Sequence, residues 1–205
     1  MHIPATSRLH FRLLSQDDAG LLFEVDQDEL VMKYINGGHK SSWQDIEQRM
    51  LPRMQAYRDV VLGYGLYGIF ANEPSAPWLD QTSAHPDYVG WVLVRPMNFF
   101  TSGAEHDNLE LGWRLKRACW GHGIASEAAS AIAREVCNQR RHLAMTQQAP
   151  AVTQFSAIAL PDNHASTGVM KKLGMRYIKR YIHRDPLGDY DVVLYRMDSD
   201  TAINP

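Results

Sequence analysis

Cysteine is nearly absent. The 205 residues hold two, Cys119 and Cys137, too few for a disulfide framework and suited to a reducing compartment such as the cytoplasm. Neither sign of charge is in excess: 21 Lys and Arg stand against 23 Asp and Glu, a net of −2. That excludes the basic balance of a dedicated nucleic-acid binder. No apolar run approaches the ~20 residues of a membrane span, and the opening MHIPATSRLH has no hydrophobic signal core, so no membrane association is expected. Internal repeats and low-complexity tracts are missing as well. Histidine is not scarce, at nine residues, yet none falls in H-E-x-x-H or Cys/His ligand spacing, so no metal is expected. What remains is an ordinary globular composition, 45% hydrophobic, 21% charged and 10% aromatic, expected to form a single domain over 1–205 with its own core.

Periodicity alternates between strands and helices. RLHFRLL (8–14) reads as a strand, followed by a helix carrying Leu21, Leu22 and Val25 with Ser15 or Asp17 as its cap. SSWQDIEQRMLPRMQAYR reads as a helix capped by Ser41 or Ser42, with Trp43, Ile46, Met50 and Met54 at helical spacing and Pro52 kinking or splitting it. YGLYGIFA (64–71) and YVGWVLVR (88–95) read as strands around a loop with Pro74, Pro77 and Pro86. LELGWRLK (109–116) is a strand, and a helix follows from about 125 to 140. FSAIAL (155–160) is another strand. A short helix spans about 163–173, capped by Asn163 and stopped at Gly174. Two last strands, near 175–183 and 190–197, flank the turn DPLGDY. The fold class is α/β with several antiparallel strands and few crossover helices.

The most informative segment is LELGWRLKRACWGHGIASEA. Gly121 and Gly123 sit between a strand and a helix start, where positive φ is allowed and no side chain intervenes. Successive N–H groups can then point into one concavity at a helix N-terminus, which favours an anion. A phosphate cradled by the amides of Gly121 to Ser126 is the expectation; a tight turn that merely needs two glycines is the plain alternative. A P-loop is unsupported because no Lys follows, and the dinucleotide fingerprint lacks its last glycine.

ELGWRLKRACWGHGIASEA resembles the acetyl-coenzyme A loop of the GNAT acetyltransferases, in particular the RimJ/RimL-like branch, which reads E-[IL]-G-[YW] and then W-G-x-G-[YI]-A-[ST]-E-A. PDNHASTGVMKKLGMRY resembles the same branch's N-x-x-S-x-x-[VL]-x-x-[KR]-L-G-[FM]. The resemblance is strong over 109–178 and weak over 41–107. It implies a mixed, mostly antiparallel sheet splayed near its middle and flanked by helices. The pantetheine arm would lie between the strands at 109–116 and 155–160, with the pyrophosphate on the turn. Coenzyme contacts are then assigned to Trp113, Leu115, Gly121, His122, Gly123, Ile124, Ala125, Ser126, Asn163 and Ser166. Acetyl-CoA is the implied co-substrate and a primary amine the acceptor, a peptide N-terminus or a small molecule, attacking directly in a ternary complex; the family also implies a homodimer. One departure is Ala118, where the superfamily usually has Gln or Arg; Arg117 beside it is a candidate to compensate.

Acyl transfer to an amine needs a proton acceptor, because a primary ammonium has a pKa near 10. Alternation puts Leu109, Leu111, Trp113 and Leu115 on one face and Glu110, Gly112 and Arg114 on the other. Glu110 at the splay is the candidate base, reaching the amine directly or through a water; otherwise it is a solvated strand glutamate, with Arg114 as a candidate partner. Ser166 is the candidate donor to the leaving thiolate. A tyrosine acid used in other branches has no counterpart, since Met170 holds that position. Cys119 reads as packing, and His122 as exposed. The run Lys171, Lys172, Arg176, Lys179, Arg180 and Arg184 reads as a solvated face with a secondary role towards phosphates. Trp43, Trp91, Trp113, Phe99 and Phe100 are candidates for an acceptor pocket or for core. Acceptor specificity is expected in 28–58 and 96–108. A catalytically idle binder of coenzyme A or a protein partner is the competing function, and a nucleotide-binding module a disfavoured third.

Overall fold

The computed structural model describes residues 1–101 and 103–203; Ser102, inside one of the two stretches expected to set specificity, lies outside them. One seven-stranded sheet carries every strand, in the order β1-β2-β3-β4-β5-β7-β6. The strands are β1 Leu9–Leu13, β2 Gly65–Ala71, β3 Tyr88–Met97, β4 Glu105–Leu115, β5 Gln154–Ala159, β6 Arg176–Asp185 and β7 Gly188–Asp198. All neighbours are antiparallel except β4 and β5. That parallel pair requires a crossover, supplied by a long helix.

Seven helices cover the sheet: α1 Ala19–Val25, α2 Glu29–Asn36, α3 Trp43–Asp45, α4 Leu51–Tyr57, α5 Ile124–Met145, α6 His164–Lys172 and α7 Ser199–Ile203. The expected break at Pro52 takes the form of a π turn, Ile46–Met50, joining α3 to α4. Proline has no N–H for the ordinary i→i−4 bond, and a wider turn absorbs the mismatch without ending the helical path. Ser42, not Ser41, caps α3, its hydroxyl accepting from Asp45 N. Helix α2 was not expected. Its signals are terminal: Asp28 accepts from the amides of Leu30 and Val31, and Gly37 closes it in the left-handed region. The strand at 109–116 begins earlier, at Glu105, and the helix after the glycine turn runs on to Met145.

Strand alternation splits the core into two layers. Val92, Val94, Leu109, Leu111 and Leu115 pack with Ile132 and Val136 of α5. Leu66, Trp91 and Leu93 pack with Leu22 of α1, Ile46 and Met54 on the other face. Between the two layers β3 and β4 run close together. Gly90, at φ +145, allows this: a Cβ there would meet the carbonyl of Arg114 and Cα of Leu115, backbone that cannot swing aside. Gly90→Ala is therefore expected to cost about 1–3 kcal/mol of overpacking, a fall of roughly 2–12 °C in Tm for a domain of this size. An unchanged melting curve by scanning calorimetry would contradict the close approach.

Candidate active site

Strands β4 and β5 are paired only at Asn108↔Gln154, Leu109↔Phe155 and Glu110↔Ser156. Beyond Glu110 they part, although β4 still pairs with β3 as far as Leu115 and β5 with β7 as far as Ala159. Two strand edges therefore face each other without bonding. Backbone polar groups left open inside a sheet call for a polar occupant. A cavity of about 400 Å³ opens beside the freed end of β4, walled by Trp113, Arg114 and Leu115, the turn from Gly121, the start of α5, the cap residue Asn163, and Ser166, Val169 and Lys172 of α6, the helix that follows β5.

The glycine turn ends in that cavity. Gly121 and Gly123 both take positive φ, +81 and +76. Gly123 is the N-cap of α5 and offers no side chain, so the first-turn amides from Ile124 to Ser126 carry no side-chain cap. Glu127, which could fold back to cap them, is held away: it accepts from Arg8 Nε at 2.8 Å. Arg8 Nη1 also donates to the carbonyl of His122 at 3.0 Å, fixing the turn to the chain ahead of β1. Ser126 turns its hydroxyl inward onto the carbonyl of Gly123 at 2.9 Å. The structure thus leaves an uncapped, glycine-lined helix start facing a cleft, the arrangement that suits a phosphate.

Of the residues assigned to the coenzyme, Trp113, Leu115, Gly121, Gly123, Ile124, Ala125, Ser126, Asn163 and Ser166 all stand in this one wall. His122 does not; its ring is exposed. Arg117 is also elsewhere, donating to Asp28 Oδ2 at 2.7 Å, so it supplies nothing in place of Ala118. Asn163 caps α6, its Oδ1 accepting from Ser166 N at 3.1 Å. Lys172 alone of the basic run reaches the wall. Sequence reasoning missed the far side: Leu30, Val31, Tyr34 and Ile35 of α2 close the cavity. The caps of α2 and two half-exposed aliphatics, Leu30 and Ile35, were the available signal.

Glu110 occupies the last β4–β5 pair, where the strands part. It is 6% exposed, and its partner corrects the expected one. Arg95, opposite it on β3, donates from Nε to Glu110 Oε2 at 2.7 Å, whereas Arg114 pairs with Asp26. Glu110 lines neither cavity, while Arg95 lines a second one of about 310 Å³ that shares Ile35 and Arg114 with the first. The second cavity lies on the α1–α4 face, between α2, α3, α4 and the β6–β7 turn. Trp91 lines it; Phe99 and Phe100 pack instead around Tyr57, and Trp43 is half-exposed, stacked on Phe23. Cys119 is buried, and burial pushes its thiol up to about 11, the reverse of an activated nucleophile.

Residues 8–176 match the Acetyltransferase (GNAT) domain family, and the chain belongs to that family and is an acetyltransferase. Solved structures share the fold. An acetyltransferase of the GNAT family from Bacillus anthracis is 21% identical, with a TM-score of 0.64 and 98% and 99% of the two chains covered. The spermidine N-acetyltransferase of Vibrio cholerae, in complex with CoA and spermine, is 13% identical, with a TM-score of 0.63 and coverage of 97% and 100%. An acetyl transferase from Salmonella typhimurium that modifies the N-terminal serine of ribosomal protein L7/L12 is 17% identical, with a TM-score of 0.59 and coverage of 96% and 98%. Acetyl-CoA is the co-substrate of this family. No helix among the described residues is long and apolar enough to cross a membrane.

Proposed function

We propose that this chain, as one domain over 1–205, moves the acetyl group of acetyl-CoA onto a primary amine by direct attack in a ternary complex, as a RimL-like member of its family. The observation that carries the reading is the shared wall: nine of the assigned coenzyme residues line one cleft between the end of β4, the glycine turn and α6. Bound acetyl-CoA supplies an activated thioester carbonyl. Amides of residues 124–126 hold its pyrophosphate, assisted by Lys172, and the open edges of β4 and β5 take its amide-bearing arm as a strand would. The acceptor amine enters from the second cavity, which has Ile35 and Arg114 in common with the wall of the first.

Glu110 accepts the amine's proton through a water, since its carboxylate lies behind the cavity wall and only Oε2 is engaged by Arg95. Ser166, in the wall of the first cavity, donates to the departing sulfur. Ser166→Ala is accordingly expected to lower turnover more than coenzyme affinity, because the contact strengthens as charge develops. Equal falls in turnover and affinity, compared by initial rates and calorimetry, would make Ser166 a binding residue only. The acceptor is a peptide N-terminus, as for the Salmonella relative, or a small-molecule amine, as for the Vibrio one. Two free, buried cysteines suit the cytoplasm, and a homodimer follows the family habit.

One observation favours an idle coenzyme binder instead: the Arg95 ion pair ties up the only candidate base. Thiol release from acetyl-CoA over a panel of amines separates the two. Amine-dependent release supports the enzyme. Tight coenzyme binding with no release across peptides, amino acids, polyamines and aminoglycosides supports the idle binder.

A further inference from the structure

The second cavity is rich in guanidinium groups. Arg49, Arg53, Arg95 and Arg114 all line it, and each already has a carboxylate: Arg49 with Asp45, Arg53 with Asp185, Arg95 with Glu110 and Arg114 with Asp26. The pairing leaves the two sides unequal. A guanidinium has five N–H donors, and a carboxylate has acceptors only. Among the described residues Arg53 spends only Nη2, on Asp185 at 2.8 Å, and Arg95 only Nε, on Glu110. The three aspartates are nearer to saturation. Asp26 takes Arg114 on Oδ1 and the Ser41 hydroxyl on Oδ2 at 2.7 Å. Asp185 takes Arg53 on Oδ2 and the amide of Leu187 on Oδ1 at 2.9 Å. Burial works against the charge of Asp185, yet the Leu187 amide and Arg53 outweigh it and hold the carboxyl below the usual range. Asp45 takes the amide and hydroxyl of Ser42 on Oδ2, with Arg49 on Oδ1.

Further donors stand in the same wall. Trp91 Nε1 and Arg114 Nε are buried with no acceptor among the described residues. Arg53 and Arg95 both lie over the ring of Phe100, their guanidinium carbons 3.7 and 5.2 Å from its centroid, so one aromatic side chain packs against both. A pocket so lined suits oxygens that accept, and guanidinium forks match an oxyanion best. A polycation would find both oxygens of Asp26, Asp45 and Asp185 already bonded, with only Oε1 of the buried Glu110 left without a donor among the described residues.

Resting on the transferase reading above, we infer that the acceptor is a small amine carrying an oxyanion, a carboxylate or a phosphate, which Arg53 and Arg95 hold in the second cavity while the amine faces the cleft. The volume of about 310 Å³ is at the small end for ligand pockets. It suits an amino acid, or the first residues of an acidic peptide, rather than an aminoglycoside.

The test compares initial rates at saturating acetyl-CoA for amines matched in pairs. α-Amino acids are set against their carboxamides, phosphoethanolamine against ethanolamine, and acidic against neutral tripeptides, with spermidine and kanamycin as polycations. The expected result is kcat/KM at least about tenfold higher for the oxyanion member of a pair, the size of one charge-assisted contact; which pair responds most identifies carboxylate or phosphate. Arg53→Gln should raise KM for that member about tenfold and leave its neutral counterpart within about twofold. Arg49→Gln, on a half-exposed rim pair, keeps the fold and should show a smaller shift in the same direction. Equal rates within pairs, or a preference for spermidine or kanamycin, overturns the inference and leaves the transferase reading intact. Should no amine turn over, calorimetry on the coenzyme A complex decides the matter. Tighter binding of N-acetyl amino acids than of their amides supports the inference, and equal affinity overturns it. Failure to bind coenzyme A at all is instead the failure of the transferase reading.

Discussion

Glu110→Gln is expected to slow amine acetylation by about 10²–10⁴, the usual contribution of a positioned general base. Glutamine keeps the shape and can still bond Arg95, but it cannot take a proton. Coenzyme affinity should barely change, because Glu110 is not in the wall of the coenzyme cleft. The deficit should shrink as pH rises towards the amine's own pKa, where deprotonated amine is supplied by solution. The ion pair adds a second consequence. Arg95 and Glu110 are 14% and 8% exposed at their side chains, and removing one member of a buried pair typically costs on the order of 3–5 kcal/mol. The kinetic comparison therefore belongs at a temperature where chemical denaturation shows the variant folded. Arg95→Met, compared by kcat at saturating amine because Arg95 is also assigned to holding the acceptor, provides the control. It breaks the same pair but keeps the carboxylate, so a purely structural pair predicts equal rate losses in the two variants, and a base predicts the larger loss in Glu110→Gln. Wild-type turnover with an unaltered pH profile would return Glu110 to a structural role.

Gly123→Val is expected to abolish measurable coenzyme binding. At φ +76 a β-branched residue is strained whatever the space around it. The space itself is open: a Cβ would come no nearer than 3.9 Å to Arg8 Nη2, so the folded chain can accommodate it more readily than a bound phosphate could. The two effects separate by measurement. A variant that melts near the wild type but shows no heat of binding with coenzyme A places the phosphate at the turn. Unchanged affinity would remove the turn from the site.

Much of this site was legible in residues 109–178, because short-range physics dominates there. Two glycines before a helix, alternating apolar residues on β4, and Asn163 three residues ahead of Ser166 each fix local geometry within a turn or two. The family resemblance rests on those same residues. What was hidden depends on contacts across long stretches of chain. Arg95 and Arg114 look alike as partners for Glu110 until β3 and β4 are placed in register, which sets Arg95 opposite Glu110 and sends Arg114 to Asp26, 88 positions away. Helix α2 eluded the periodicity because its eight residues are short for a helical period to stand out, and its outward aliphatics, Leu30 and Ile35, serve the cavity rather than the core. The donor surplus of the second cavity is likewise a property of four ion pairs assembled from the residue after α1, α3, the π turn, α4, β3, β4 and the end of β6.

Hydrogen exchange with and without acetyl-CoA tests the central claim most directly, since that claim is a place: the cleft between the end of β4, the glycine turn and α6. The account predicts slowed exchange at the amides of 113–115, 121–126 and 163–169 on addition of acetyl-CoA, with 43–57 unchanged until an amine is added. Protection confined to 43–57 and the β6–β7 turn, with the glycine turn exchanging as before, would contradict it.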